Sequence, residues 1–117
     1  MERIRKIIYY KNYFRDFFAE QPEKVKDKID YVLFVITVAE RIPLKFFKHI
    51  ESTVGLYEIR VELNSNIYRI FCCLDRGNLV VLFNGFQKRS QKTPSTEINK
   101  ALKIMKEYFL INKKERS

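Results

Sequence analysis

The spacing of apolar residues changes once along the chain, from a helical period to a strand period. The stretch Ile4 to Tyr10, rich in Ile and Tyr, predicts a strand. Asn12 to Ala19 predicts a short helix that carries three phenylalanines on one side. Apolar residues then recur at helical spacing from Val25, and this second helix ends near Glu40, shortly before Pro43. The first third of the chain is therefore predicted to be one strand and a pair of helices.

Strands dominate the middle of the chain, after a connection at residues 44–53. Tyr57 to Leu63 alternates apolar and charged side chains, which is typical of a strand covered on one face. Tyr68 to Leu74 predicts the next strand after a short turn. The continuous apolar run from Leu79 to Phe83 predicts an interior strand that is covered on both sides.

A helix is predicted to close the chain. Thr93 followed by Pro94 is typical of a helix start, and an apolar stripe runs from residue 98 to residue 109. The predicted order is β-α-α-β-β-β-α in a single domain spanning residues 1–117. Because short turns join the last three strands, we expect an α+β fold. It contains a small antiparallel sheet, an N-terminal helical pair packed on one side, and a C-terminal helix.

Basic side chains outnumber acidic ones and give the chain a formal net charge of +9. The surplus lies mainly in the C-terminal half: residues 64–94 carry five basic side chains and one acidic, whereas residues 21–63 carry seven of each. This field favours a polyanionic partner, which leaves open a nucleic acid, an anionic membrane or an acidic protein. Basic surface that only keeps the protein in solution explains the same charge.

The composition disfavours several kinds of site and location. Cys72 and Cys73 are adjacent, so they are poorly placed for a disulfide, and no second cysteine pair accompanies them. We therefore expect reduced thiols, no metal and no cofactor. The longest apolar stretch, Tyr31 to Ala39, has about half the length of a membrane span. We expect a cytoplasmic protein without a membrane partner.

Cations are predicted to gather at one end of the sheet. If Tyr57 and Tyr68 point to the core, Arg60 and Arg69 emerge together on the outer face of neighbouring strands. The guanidinium group matches the geometry of a phosphate, and lysine adds a point charge. Such a cluster suits a phosphodiester and the extra charge of its transition state. Further cations follow the third strand of the sheet: Lys88, Arg89 and Lys92.

Three segments of the chain resemble the motifs of one protein family. They are Gly55-Leu56-Tyr57-Glu58-Ile59-Arg60, then Tyr68-Arg69-Ile70, then the run from Phe86 to Pro94 followed by Glu97, Ile98 and Ala101. In this order they resemble the phage-derived, HigB-like group of bacterial toxins within the RelE/ParE superfamily. The resemblance spans about residues 3–110, and the third segment is its most specific part.

The resemblance implies a RelE-like fold and the toxin of a type II toxin-antitoxin system, a ribosome-dependent endoribonuclease that cleaves messenger RNA. Its implied partners are the message on the ribosome and a cognate antitoxin, usually with a helix-turn-helix domain. The implied reaction is independent of metal, because the ribose 2′-hydroxyl attacks the adjacent phosphate. The resemblance places Arg60, Arg69 and Lys88 at the substrate phosphate. Arg89, which completes the family's basic pair, and Lys92 are expected to contact RNA or the ribosome.

Two departures from the family pattern bear on proton transfer. Family members often carry a histidine before the Gly-Phe of the third motif, and here Asn84 occupies that position. The second lysine of the basic pair is Arg89, which keeps the charge but does not act as a base. Charge stabilisation at this site is therefore better supported than proton transfer.

Glu58 and His49 are candidates for proton transfer in the cleavage reaction. Glu58 is a general base for the 2′-hydroxyl if it lies within hydrogen-bond reach, but a carboxylate that orients Arg60 or Arg69 is the simpler interpretation. His49 is the only histidine, the residue type most often used for proton transfer, so it is a candidate donor to the leaving 5′-oxygen. A lone histidine in a connection is more often solvated or packed.

Two alternatives from other functional classes stay open. A ParE-like toxin shares the fold but inhibits DNA gyrase, so it would block supercoiling and leave messages intact, since function depends on the site. A non-catalytic nucleic-acid-binding module would bind RNA through Arg69 without cleaving it.

Overall fold

The computed structural model describes residues 2–116. Within them the chain forms five strands and three helices. The strands are β1 (Lys6–Tyr9), β2 (Phe47–His49), β3 (Tyr57–Leu63), β4 (Asn66–Asp75) and β5 (Leu79–Lys88), and the helices are α1 (Tyr13–Ala19), α2 (Glu23–Val38) and α3 (Ser95–Arg116). The α+β class and the predicted sequence of major elements are confirmed. No helix of this described part of the chain combines the length and apolar character needed to cross a membrane.

The sheet is mixed, with the strand order β1-β5-β4-β3-β2. Strands β2 to β5 pair antiparallel, as expected from their short connections, but β1 runs parallel to β5. The expectation of a wholly antiparallel sheet was therefore wrong at one edge. The connection at residues 44–53 also contains β2, a three-residue strand that satisfies the backbone groups of β3 at the opposite edge.

Both faces of the sheet are covered by helices. One apolar cluster joins α1 and α2 to one face through buried residues such as Phe17, Ile29 and Ile36. A second cluster joins α3 to the opposite face through Ala101, Ile104 and Tyr108. The helical pair and the last helix thus lie on opposite sides of the sheet. The interior position predicted for the run from residue 79 to residue 83 is confirmed, since β5 lies between β1 and β4.

Two local features set the register of the strands that carry the site. Asn64 and Ser65 have φ angles of +50° and +70°, which are typical of the tight two-residue turn of a hairpin. This turn places Arg60 directly opposite Arg69. The pairing of β4 with β5 then shifts by one residue near Ile70, and the shift turns the last part of β5.

Candidate functional site

The charged residues of the sheet lie on the face that α3 covers, next to the apolar cluster under that helix. Because side chains alternate along a strand, Glu58, Arg60 and Glu62 share this face of β3. Arg69 of β4 lies opposite Arg60, and its partner on β5 is Phe86. Lys88 lies two residues further along the same face of β5. The fold thus brings Glu58, Arg60, Arg69 and Lys88 to one end of the sheet; we call these four residues the charged cluster.

Arg69 is buried within the charged cluster. Only 1% of the residue is exposed, so the expectation that it emerges on an outer surface was wrong. Its Nε lies 2.6 Å from Oε2 of Glu58, which is itself 7% exposed. The contact is an ion pair without hydrogen-bond alignment, since neither atom has a well-aligned partner among the described residues. Burial lowers the pKa of Arg69, and the Glu58 carboxylate opposes this effect.

Lys88 lies at the end of β5 and is half-buried. Burial is the main cause that lowers its pKa, and the positive charges of Arg69 and Arg60 lower it further, while Glu58 opposes them. A lysine with a lowered pKa is better matched to proton transfer near neutral pH than an ordinary lysine. Lys88 therefore combines a positive charge with a proton that is easier to remove.

Arg60 lies near the edge of the sheet, one residue past Ile59, which pairs with Phe47 at the start of β2. It is half-buried, and its Nε is buried without a hydrogen-bond partner among the described residues. The side chain lines a cavity of about 420 Å³ between β3, the residues before β2 and α2. The other lining residues are Lys28, Tyr31, Lys45, Phe46 and Glu62. Arg60 thus connects the charged cluster to this cavity, which we call the edge cavity.

His49 does not join the charged cluster. It pairs with Tyr57 across β2 and β3, and its ring meets the Tyr57 ring edge-on at a centroid distance of 5.2 Å. Tyr57 packs with the α1–α2 side of the sheet, so the alternation of the strand puts His49 on the face opposite Glu58. This exposed histidine is separated by the sheet from the cluster, and we leave it out of the proposed site.

The two remaining basic candidates lie in the segment after β5. Arg89 is exposed and lines a different cavity, of about 400 Å³, together with residues of α1 and the end of β5. Lys92 is exposed, and its carbonyl oxygen accepts a hydrogen bond from the Ser90 hydroxyl at 2.9 Å. Both cations are thus available to a partner, but neither belongs to the charged cluster.

Asn84, which stands where the family pattern often has a histidine, is 2% exposed. Its Nδ2 donates a hydrogen bond of 3.3 Å to Glu97 at the start of α3. The amide therefore ties β5 to the last helix. No group of three or more His, Cys, Asp or Glu side chains within residues 2–113 is arranged to hold a metal ion.

Sequence reasoning missed the two lysines of the edge cavity. Lys28 lies on α2 and Lys45 precedes β2, far from the motifs in sequence. Lys28 belongs to a segment with as many acidic as basic residues, so charge patterning gave no reason to select it. The packing of α2 beside β3 brings Lys28 to Arg60, and the hydrogen bond from the Arg60 N–H to the Phe46 carbonyl brings Lys45 there.

Comparison with known proteins links most of the chain to one family. The model of the family described as Phage derived protein Gp49-like (DUF891) matches residues 16–106. The match includes α2, the strands β2 to β5 and the first half of α3. A search of curated proteins gave no significant match.

Proposed function

The chain belongs to the phage-derived Gp49-like family, a toxin-like family, and from this premise we propose that it is a toxin that cleaves messenger RNA on the ribosome. The proposal makes it the HigB-like toxin of a type II toxin-antitoxin system. Its partner in the resting state would be a cognate antitoxin that carries a helix-turn-helix domain.

One observation carries this proposal: three cations converge on one end of one sheet face. Arg60 and Arg69 are direct cross-strand partners, and the positive charges of both lower the pKa of Lys88. The carboxylates of Glu58 and Glu62 act on these cations but offset only two of the three positive charges, so the site keeps a positive surplus. A phosphodiester, which becomes more negative in its transition state, is the chemical group that this surplus favours.

The proposed reaction is a transesterification within the RNA strand. The ribose 2′-oxygen forms a bond to the adjacent phosphorus and gives its proton to a solvent water molecule, and the bond from phosphorus to the 5′-oxygen breaks. A proton passes to that 5′-oxygen, so the products are a 2′,3′-cyclic phosphate and a 5′-hydroxyl. Lys88 neutralises the phosphate and is the proposed proton donor, since its lowered pKa favours release of the proton.

The two arginines have different roles in this proposal. Arg60 is half-buried and offers its guanidinium to the phosphate. Arg69 is buried, so it acts as a positioning residue whose charge raises the potential at the phosphate. Glu58, paired with Arg69, holds that guanidinium in place. In this role Glu58 does not need to act as a base.

Primer extension on messages in a cell-free bacterial translation reaction tests the function. The wild-type protein is expected to create new 5′ ends inside translated codons, and only when ribosomes are present. Lys88→Met should reduce cleavage by at least about a hundredfold, because it removes both charge and proton. Lys88→Arg keeps the charge but does not release its proton, so a loss of about tenfold or more would support the proton-transfer role.

Lys103→Met is the matched control, because Lys103 is an exposed lysine on α3. This variant should cleave like the wild type. Intact messages together with a loss of DNA supercoiling would contradict the nuclease proposal and favour a gyrase inhibitor. Binding of RNA without new ends would favour a non-catalytic module.

A further inference from the structure

The edge cavity carries a positive surplus without an acidic partner for its lysines. Three cations line its volume of about 420 Å³ against the single carboxylate of Glu62. Among the described residues, neither Lys28 nor Lys45 lies within ion-pair distance of a carboxylate. The Nε of Arg60 is itself buried and has no hydrogen-bond acceptor in the described part of the chain. The two unpaired lysines and the exposed part of the half-buried Arg60 side chain therefore favour an anionic ligand in this cavity.

Aromatic rings form one wall of the same cavity. The rings of Tyr31 and Phe46 meet edge-on at a centroid distance of 6.2 Å. The Lys28 ammonium lies 5.3 Å from the centre of the Tyr31 ring, and the Lys45 ammonium lies 5.0 Å from that of Phe46. Tyr31 is 53% exposed, whereas Phe46 is buried behind it. An exposed ring beside cations is the combination that binds single-stranded nucleic acids, because the base stacks while the cations hold the phosphate.

Arg60 links this cavity to the charged cluster. It lines the cavity, and it lies directly opposite Arg69 in the sheet. A strand of RNA whose scissile phosphate lies at Lys88 and Arg60 therefore has its next nucleotide within reach of the cavity.

From this placement we propose that the edge cavity binds the nucleotide adjoining the scissile one in the same RNA strand. Lys28 and Lys45 hold its phosphate, next to the scissile phosphate at Arg60, and its base stacks on Tyr31. This inference rests on the proposed RNA-cleaving function and adds a second nucleotide site to it. The site would fix the register of the message and so contribute to the choice of cleavage position.

Binding of a short RNA that cannot be cleaved tests the site without depending on catalysis. The probe is a fluorescein-labelled RNA heptanucleotide of mixed sequence with 2′-O-methyl riboses, titrated at several salt concentrations. The double variant Lys28→Gln/Lys45→Gln should weaken binding by about tenfold near 0.1 M salt. It should also reduce the slope of log K against log salt by about 0.7, the loss of one phosphate contact on a single strand.

Tyr31→Ser separates stacking from charge. It should weaken binding by about fivefold or more and leave the salt slope unchanged, because a base–ring contact releases no counterions. The matched control is Lys103→Gln/Lys106→Gln, two exposed lysines on α3, and it should bind like the wild type. Thermal unfolding of each variant shows whether the fold is kept.

The outcomes distinguish this inference from the proposed function. If the wild type cleaves translated messages but the Lys28/Lys45 double variant binds the probe as tightly as the wild type at every salt concentration, the second site is overturned and the function stands. If the wild type neither binds the probe nor cleaves messages, both fail. An equal loss in the α3 control would also overturn the site, because binding would then depend on net charge alone.

Discussion

At the scale of single residues, chemically similar side chains of the site differ by their burial. Arg60 and Arg69 face each other across two strands, yet one lines an open cavity and the other is 1% exposed. A buried guanidinium is tolerated when a carboxylate neutralises it, and Glu58 does so here. Alternation along the strands therefore puts both arginines on one face, but only Arg60 is accessible to a ligand, and Arg69 supports the site from within.

Replacing both Glu58 and Arg69 with apolar residues should cost little stability, whereas replacing Arg69 alone should cost much. Arg69→Met leaves the Glu58 carboxylate buried without its partner and should lower the free energy of unfolding by about 3 kcal/mol. Adding Glu58→Leu should restore most of this loss, because the apolar pair needs no compensation. Urea unfolding followed by circular dichroism measures both variants. A double variant as unstable as the single one would contradict the ion-pair account.

The two adjacent thiols should be unreactive in the folded protein. Cys72 and Cys73 are free and buried, and burial raises the pKa of Cys73 to about 12. The pKa of Cys72 is also raised, mainly by burial. Since the thiolate is the reactive form, a thiol reagent at pH 8 should label the native chain slowly and the urea-unfolded chain rapidly. Fast labelling of the native protein would show that this end of the sheet opens.

At the scale of elements, β5 joins the parallel edge strand β1 to the antiparallel part of the sheet. It pairs with β1 on one side and β4 on the other, packs under α1 and carries Lys88 at its end. Gly85 permits the close approach of α1, since a Cβ at this position would lie 2.5 Å from a ring carbon of Phe17. The position of Lys88 therefore depends on how α1 packs on the strand three residues before it.

Gly85→Ala should strain the contact between α1 and β5. The added methyl group overlaps the buried Phe17 ring, and we expect a loss of about 1–3 kcal/mol in the free energy of unfolding. In a Phe17→Leu background the same substitution should cost less, because the smaller side chain leaves room. A double-mutant cycle by urea unfolding measures the coupling. Additive losses would show that strand geometry, and not the Phe17 ring, disfavours alanine.

At the scale of the whole molecule, side-chain contacts between distant parts of the chain join the helices to the sheet. The Tyr108 hydroxyl on α3 donates a 2.6 Å hydrogen bond to Oδ2 of Asp75 at the end of β4. The Arg5 guanidinium donates to the carbonyl oxygens of Ile36 and Ala39 at the end of α2, at 3.0 and 2.6 Å. These contacts hold α3 and α2 against opposite faces of one sheet.

The Tyr108 contact should make stability sensitive to alkaline pH. Burial is the main cause that raises the pKa of Tyr108, and the Asp75 carboxylate raises it further. The unfolded chain loses this proton near the ordinary value of 10.0, before the folded chain does, so stability should fall as the pH rises above 10.0. Tyr108→Phe should cost about 1 kcal/mol at pH 7 and flatten the alkaline decrease. Urea unfolding at pH 7, 9, 10 and 11 tests both effects.

Much of the fold follows from local pattern. The alternation from Tyr57 to Leu63 gave the bounds of β3 without error, and the helical spacing gave α2 to within two residues at each end. The start of α3 was also predicted, but the helix ends seven residues past the apolar stripe. Pairing between strands that lie far apart in the sequence could not be predicted from local pattern. The parallel pairing of β1 with β5 joins residues more than seventy positions apart, and the three residues of β2 are too few for a periodic signal.

The sequence by itself determined which residues share a face, because side chains alternate along a strand whatever the strand packs against. It therefore placed Glu58, Arg60 and Arg69 on one face and predicted a basic site there. Only the tertiary structure decided that Arg69 is buried, that His49 lies on the opposite face and that Lys28 and Lys45 reach Arg60. Burial and proximity depend on how α2, α3 and the edge strands pack, and those contacts join segments that no local pattern relates.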